Sequence, residues 1–420
     1  MPDASVTYAN RSEISHEIQQ IVAKAPDLLQ RLVRQTSTYE GEHAAVELVD
    51  GILKDYGYDP QSVFFPSHSA VLRPGLQNPL SRVSGRRNLV VRAKGSGGGK
   101  AIVLNAHLDT VSPGDAAAWT YPPLEGRIVD GKLYGRGAFD DKAGVVIILS
   151  VLDVLRKSPP LRGDVIAHFV LEDEITGNGS LYCVEAGYGG DAAVILDGTR
   201  PDRGINQFAG NVRLGITMHG RPAAVSVSHV GVNAAELMAE LMLELRAAVF
   251  ARNQNNSAPW TQFPSPNQFC IEMLDSLGDA NTVPAIARGS AFMTFTPPTT
   301  LEDFRSEIDS IVTAFAERKR LERRPELDWN LFAVGPTAAD SAQLENAINA
   351  SAARAGLPRI NFGPSTGTSD MRHFLVHGIP CVLYGPGVGQ NPHRADEYYE
   401  LSSFASMIPL FFDLVRTWAE

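Results

Sequence analysis

The run Ala101-Ile102-Val103-Leu104-Asn105-Ala106-His107-Leu108-Asp109 decides how this chain is read. It is almost continuously apolar and then ends in an imidazole and an acid. A short apolar run of this kind suits a strand buried on both faces, the pattern of a parallel sheet covered by helices. Residues i and i+2 of a strand share a face, so Asp109 stands where it can orient His107. The C-terminal ends of such strands are where open α/β sheets build their sites. Residues 88–92, 165–171, 192–196 and 381–384 are further strand candidates, and the apolar stretch 144–155 is a helix among them.

Outward from this centre, the first third reads as helices. Ile18, Ile21 and Val22, then Leu28, Leu29, Leu32 and Val33, recur at helical spacing, and Pro26 is placed to open a second helix. Residues 41–56 repeat the pattern, with Gly57 at the C-cap position. The glycine run 95–100 lacks the Walker spacing and reads as a strand connection. The middle third reads as a small α+β layer. A helix over 234–249 carries Leu237, Met238, Leu241, Met242 and Leu245 on one face. Its other face carries Glu236, Glu240 and Glu244, which repel, so burial of the apolar stripe has to hold it. A second helix starts near Thr299, with Glu302 at capping-box spacing, and is expected to run to Arg324. Its basic end, Arg318-Lys319-Arg320 with Arg323 and Arg324, suits the negative pole of a helix dipole. Strands are expected at 211–218 and 290–296.

The chain has 420 residues, 44% of them hydrophobic and 20% charged, which suits a folded protein of two or three domains. Lys and Arg number 37 against 47 Asp and Glu, a net charge of −10, which disfavours a nucleic-acid binder. Cys183, Cys270 and Cys381 are too scattered for a disulfide framework or a zinc knuckle. No run approaches 18 apolar residues and the N-terminus carries no apolar signal segment, so a cytoplasmic protein is expected.

Four more segments place acids or imidazoles beside predicted strands: Asp140-Asp141, Glu172-Asp173-Glu174, Asp197 and His393. Adjacent carboxylates repel unless a cation or a shared proton relieves them. Two imidazoles with three or more carboxylates suit borderline divalent ions such as zinc, cobalt or manganese.

With Gly367-Thr368-Ser369-Asp370-Met371-Arg372 and Tyr384-Gly385-Pro386-Gly387 added, these motifs in this order resemble the M20 family of metallopeptidases and deacylases over nearly the whole chain. The resemblance implies an α/β catalytic domain with a mostly parallel sheet covered by helices, formed by residues 1–203 and 328–420. A smaller α+β lid or dimerisation domain, residues 204–327, interrupts it. It implies one or two divalent ions per subunit, zinc, manganese or cobalt. His107 and Asp197 would hold one, Glu174 and His393 the other, and Asp140 would bridge them. Asp109 would orient His107, and Asp173 falls at the general-base position. A homodimer through the lid and a small-molecule substrate are implied as well, with neither nucleic acid nor membrane as partner.

Three departures bear on the substrate. The base position usually holds Glu, and Asp173 is one methylene shorter, which leaves Glu172 as a second candidate. Ala224 stands where the lid normally supplies an oxyanion-binding His, with His219 and His229 nearby. Thr294 replaces an Arg that grips substrate carboxylate, for which Arg288 and Arg372 are the remaining candidates. An oxyanion donor is commonly worth about 10²–10³ in rate. The expectation is hydrolysis of a C–N bond, foremost in an amide or N-acyl amino acid. The alternative is hydrolytic deamination of a small aromatic amine, as in a nitroanthranilate-type aminohydrolase. A serine hydrolase reading uses Gly363-Pro364-Ser365-Thr366-Gly367 with Asp370 and His393, but leaves the acid clusters unexplained. A non-catalytic metal-binding module is the remaining alternative.

Overall fold

The computed structural model describes residues 4–65 and 85–420. The apolar runs assemble into one large sheet. Its order is Gln61–Phe64, Arg87–Ala93, Val165–Val170, Ile102–His107, Ala192–Ile195, Cys381–Leu383, Arg203–Phe208 and Thr337–Ala338, with Asn361–Ser365 beside Arg203–Phe208. The four central strands are parallel: Ile102 faces Val165 on one side and Ala192 on the other, and Cys381 faces Ala193. The antiparallel strands lie outside them. Burial of every residue in Val165–Val170 and Ala192–Ile195 explains why these segments are apolar without alternation.

The helix Lys142–Leu155 is buried along its whole length, which requires an apolar surface all round. It packs on Ile102–His107 and is covered by the helices Ala4–Val33 and Phe404–Ala419. Pro26 does not open a second helix; it lies inside the single helix Ala4–Val33. Ile21, Ala25, Leu28, Leu29, Leu32 and Val33 are all buried on either side of it. At about 1.5–3 kcal/mol per buried aliphatic side chain, that stripe outweighs the roughly 3 kcal/mol a mid-helix proline costs.

A second core forms around a four-stranded antiparallel sheet in the order Phe269–Leu277, Ile286–Phe295, Gly210–His219 and Glu326–Val334. The helices Ala234–Ala251 and Leu301–Arg318 contribute Met238, Leu241, Leu245, Phe304, Ile308 and Phe315 to it. The second helix begins and ends differently from expectation. Thr300 is its N-cap and Asp303 completes the capping box. The helix stops at Arg318, where Arg320 takes a φ of +52° and turns the chain away. The basic run does more than end a helix. Arg318 pairs with Glu244 and Lys319 with Glu240, so the cations of one helix relieve the repulsion along its neighbour.

Gly144 lets the buried helix approach the sheet. A Cβ there would lie 2.3 Å from the Leu196 carbonyl oxygen and 2.4 Å from Asp141 Oδ1. Gly144→Ala therefore forces backbone to move and should cost about 1–3 kcal/mol. Gly51→Ala, in an exposed helical position with nothing within 4 Å, should instead stabilise by roughly 0.5–1 kcal/mol. Urea unfolding of the two variants measures both, and equal effects would refute the packing argument.

Candidate metal centre

His107 closes its strand and is 2% exposed. Its Nδ1 bonds the main-chain carbonyl of Asp109 at 2.9 Å, whereas the Asp109 carboxylate stands 3.6 Å away. Asp109 thus orients the imidazole through its backbone. Its carboxylate accepts the Glu174 N–H on Oδ2, and the buried Oδ1 has no hydrogen-bond partner among the described residues. His107 Nε2 faces Asp140 Oδ1 at 3.0 Å and Asp173 Oδ2 at 3.9 Å.

Asp140 and Asp141 divide their work. Asp140 lies between the two imidazoles, with His393 Nε2 3.3 Å from its second oxygen. Asp141 turns away and caps the buried helix at Gly144 N, while its other oxygen accepts the His107 N–H. Glu397, which sequence reading missed, holds the Asp140 loop. Its buried carboxylate accepts the N–H groups of Gly137, Phe139 and Asp140 and pairs with Arg136. The available signal was a lone Arg between two glycines, which needs an anion when buried, but no spacing rule points from Arg136 to Glu397.

In the acidic turn, Glu172 has a φ of +71° and no exposure. Its carboxylate takes the Thr176 hydroxyl and one end of Arg86, whose other end reaches Glu42. Its carbonyl accepts the N–H groups of Ile175, Thr176 and Gly177. Glu172 therefore builds the turn and is removed from contention as a base. Asp173 and Glu174 are the residues the turn presents. Glu174 Oε2 lies 2.8 Å from His393 Nε2. Asp197 lies two residues past the strand Ala192–Ile195, with a carboxylate oxygen within 4.8 Å of ligand atoms of His107 and Asp173.

Ligand atoms of His107, Asp140 and Glu174, and separately of His107, Asp173 and Asp197, lie within 4.8 Å of one another and could hold a metal ion. Burial raises the carboxyls of Asp173 and Asp197 above their ordinary values, with Asp140 adding to both, and pushes Glu174 up to about 7. Burial opposes charge on His107 as well, yet Asp173, Asp109 and Asp140 raise it well above its ordinary value. Hydrogen bonds to Asp140 and Glu174 push His393 up to about 10. A set of hard oxygens and imidazoles held together only by sharing protons fits divalent cations.

Other sequence candidates lie elsewhere. His229 is exposed in the turn Val225–Val230, and His219 stands 3.3 Å from Glu326. Arg288 is exposed on Ile286–Phe295. Arg372 borders the site but is 4% exposed and donates to the carbonyls of Ser369 and Thr176. Thr294 is buried, donating to Pro266 O and accepting from Gln268 N, so it fixes a loop. Ser365 Oγ accepts the Gly367 N–H, and His393 Nε2 faces acids, which leaves no serine triad.

The description of peptidase family M20/M25/M40 matches residues 103–417, which spans all of these motifs. The chain belongs to that family. It is a hydrolase acting on carbon–nitrogen bonds. Similar solved structures include a tripeptidase from Staphylococcus aureus, 18% identical with a TM-score of 0.73 over 95% of this chain and 98% of that one. A dinuclear metal-binding M20 peptidase from Bacillus subtilis is 16% identical with a TM-score of 0.66 over 96% and 99% of the two chains. A putative aminohydrolase from methicillin-resistant Staphylococcus aureus is 13% identical, with a TM-score of 0.69 over 98% and 100%. At these identities the likeness is one of fold. Among the described residues no helix is long and apolar enough to cross a membrane.

With His393 pushed up to about 10 by Asp140 and Glu174, it carries a proton at pH 7 that would have to leave if the imidazole takes a metal ion. Metal loading should release at least one proton, and affinity should weaken by at least about tenfold per unit as pH falls from 8 to 6. Titration calorimetry in buffers of different ionisation enthalpy reads the proton count; a buffer-independent heat would contradict it. Arg86→Met leaves Glu42 and Glu172 buried without their cation and should destabilise by roughly 3–5 kcal/mol, read from the unfolding midpoint.

Proposed function

We propose that this protein hydrolyses a C–N bond in a small molecule with water activated at a two-ion centre, foremost the amide of an N-acyl amino acid or short peptide. The observation that carries this is the convergence of His107, His393, Asp140, Glu174 and Asp197 at the ends of parallel strands, with Asp173 at their edge. We assign His107 and Asp197 to one ion, Glu174 and His393 to the other, and Asp140 to both. Zinc, manganese and cobalt suit these donors. Bound there, such ions would lower the pKa of a water and polarise the bond under attack.

The protein's own groups supply the rest. The Asp109 carbonyl holds His107 with Nε2 directed at the acids. Glu397 and Arg136 keep the Asp140 loop in place from behind. Asp173, 22% exposed and without a hydrogen bond among the described residues, is free to take the proton of the attacking water and return it to the leaving nitrogen. Glu172 presents it by shaping the turn.

A second reading, hydrolytic deamination of a small aromatic amine, is favoured by a specific observation. Among the described residues none of those lining the cleft is an imidazole, Ala224 occupies the usual position, and Phe292 borders the cleft. Negative charge spread into an aromatic ring needs less from a lid donor than a tetrahedral oxyanion does. We further propose a cytoplasmic homodimer built on the lid. The edge strand Phe269–Leu277 leaves everything past Phe269 exposed, including Ile271, Met273, Leu274 and Leu277. An apolar strand edge of that length is a pairing surface for a second copy, and the free thiols suit a reducing compartment.

The test is to load the protein with manganese or zinc and offer N-acyl amino acids, dipeptides and electron-poor aminobenzoates, following products by mass spectrometry. An amide split into two fragments supports the first reading, and an amine replaced by hydroxyl with ammonia released supports the second. Turnover that survives a chelator defeats both. Asp173→Asn should keep its metal and lose at least about 10²-fold in kcat; loss of an ion would make Asp173 a ligand. Light scattering should give a dimer mass that Leu274→Lys lowers to a monomer.

A further inference from the structure

The cleft over the acidic turn is lined on one side by Asp173, Glu174 and Arg372 of the short helix Met371–Val376, and on the other by Arg213 and Phe292 of the small lobe. Alternation along the strands puts these two side chains there. Val212, Leu214, Ala291 and Met293 are buried in the lobe's own core, so Arg213 and Phe292 point from the opposite face. They are direct register partners on neighbouring strands, close enough for their side chains to act as one unit. The guanidinium carbon lies 5.9 Å from the Phe292 ring centre.

Arg213 is held ready. Its Nε and Nη2 fork onto Glu272 at 2.6 and 2.9 Å. The hydrogen bonds the side chain makes among the described residues use Nε and Nη2 and leave Nη1 over, and it is 33% exposed. A guanidinium offers five donors, so a second carboxylate can be taken without releasing the first. Neither of the arginines expected from the sequence can do this. Arg372 is spent on two carbonyls, and Arg288 lies four residues from Phe292, roughly 13 Å along the strand. The cleft holds about 150 Å³, the size of a cavity that accepts a benzene ring.

We infer that Arg213 and Phe292 are the substrate-recognition pair, Arg213 taking a carboxylate and Phe292 the flat, unsaturated body beside it. The substrate class is then a small planar monocarboxylate, an aryl or N-aroyl acid, which places its C–N bond toward Asp173 and Glu174. This rests on the carboxylate–imidazole cluster being the reacting centre.

The experiment is calorimetric binding of benzoate, benzamide and cyclohexanecarboxylate to the manganese-loaded full-length protein and its variants, with metal content measured on each sample. Benzoate should bind, benzamide should bind more weakly, and Arg213→Gln should weaken benzoate by about ten- to a hundredfold while leaving benzamide unchanged. Phe292→Leu should weaken benzoate by about two- to tenfold and cyclohexanecarboxylate by less, and Arg288→Gln should change neither. Benzoate that does not bind, binds Arg213→Gln as it does the wild type, or binds no better than benzamide overturns the inference. A protein that retains no divalent ion refutes the proposed centre instead, and the dependence of benzoate binding on Arg213 is then read on the metal-free chain.

Discussion

Crowded negative charge is the constraint around which this molecule is arranged. Asp109, Asp140, Asp173, Glu174 and Asp197 converge at the ends of the central strands, with His107 and His393 the imidazoles that pair directly with them. Like charges taken from water at such spacing are relieved by protons or by cations. Protons relieve that load where they are held on His393 and on carboxyls that burial has raised. A divalent ion would exchange such protons for ligand bonds, so crowding that opposes folding would favour metal binding.

Holding such a site costs the fold a second tier of buried charge that never touches it. Arg86 lies between Glu42 and Glu172, flanked by the rings of Tyr39 and Phe65. Arg136 and Glu397 do the corresponding work under the Asp140 loop. Asp141 joins the helix start to the His107 backbone. The arginines and glutamates among these groups are ion-paired, Asp141 is held by backbone N–H donors alone, and each fixes a main-chain turn from which a site residue projects. Gly144 completes the arrangement by letting the helix start lie against Leu196, one residue before Asp197.

The small lobe shows charge used differently. Its helices are joined at the surface by Arg318–Glu244 and Lys319–Glu240, pairs that contribute little singly but remove a repulsion each helix would otherwise carry. Its sheet has one face in the lobe's own core, while the other sets Arg213 and Phe292 over the acidic turn. The acid–imidazole cluster and the residues that face it across the cleft therefore come from separate sheets.

The sequence by itself determined the parallel strands, the buried helix and the positions of the acids and imidazoles. Apolar runs and strand ends are local features, and their chemistry is read from neighbouring residues. It misplaced what depends on a partner far along the chain. Pro26 reads as a helix start until the buried stripe on both sides of it is seen. The motif already preferred Asp173 to Glu172 as base, but what withdraws Glu172 is its pairing with Arg86, 86 residues away, which no local pattern announces. Glu397 lies more than 250 residues from the loop it anchors. Arg213 gives no motif at all; strand pairing with Phe292 and the closeness of two lobes make it part of the cleft. Charge identity is written locally, but which charge meets which is settled by tertiary packing, because burial and pairing are properties of the folded neighbourhood.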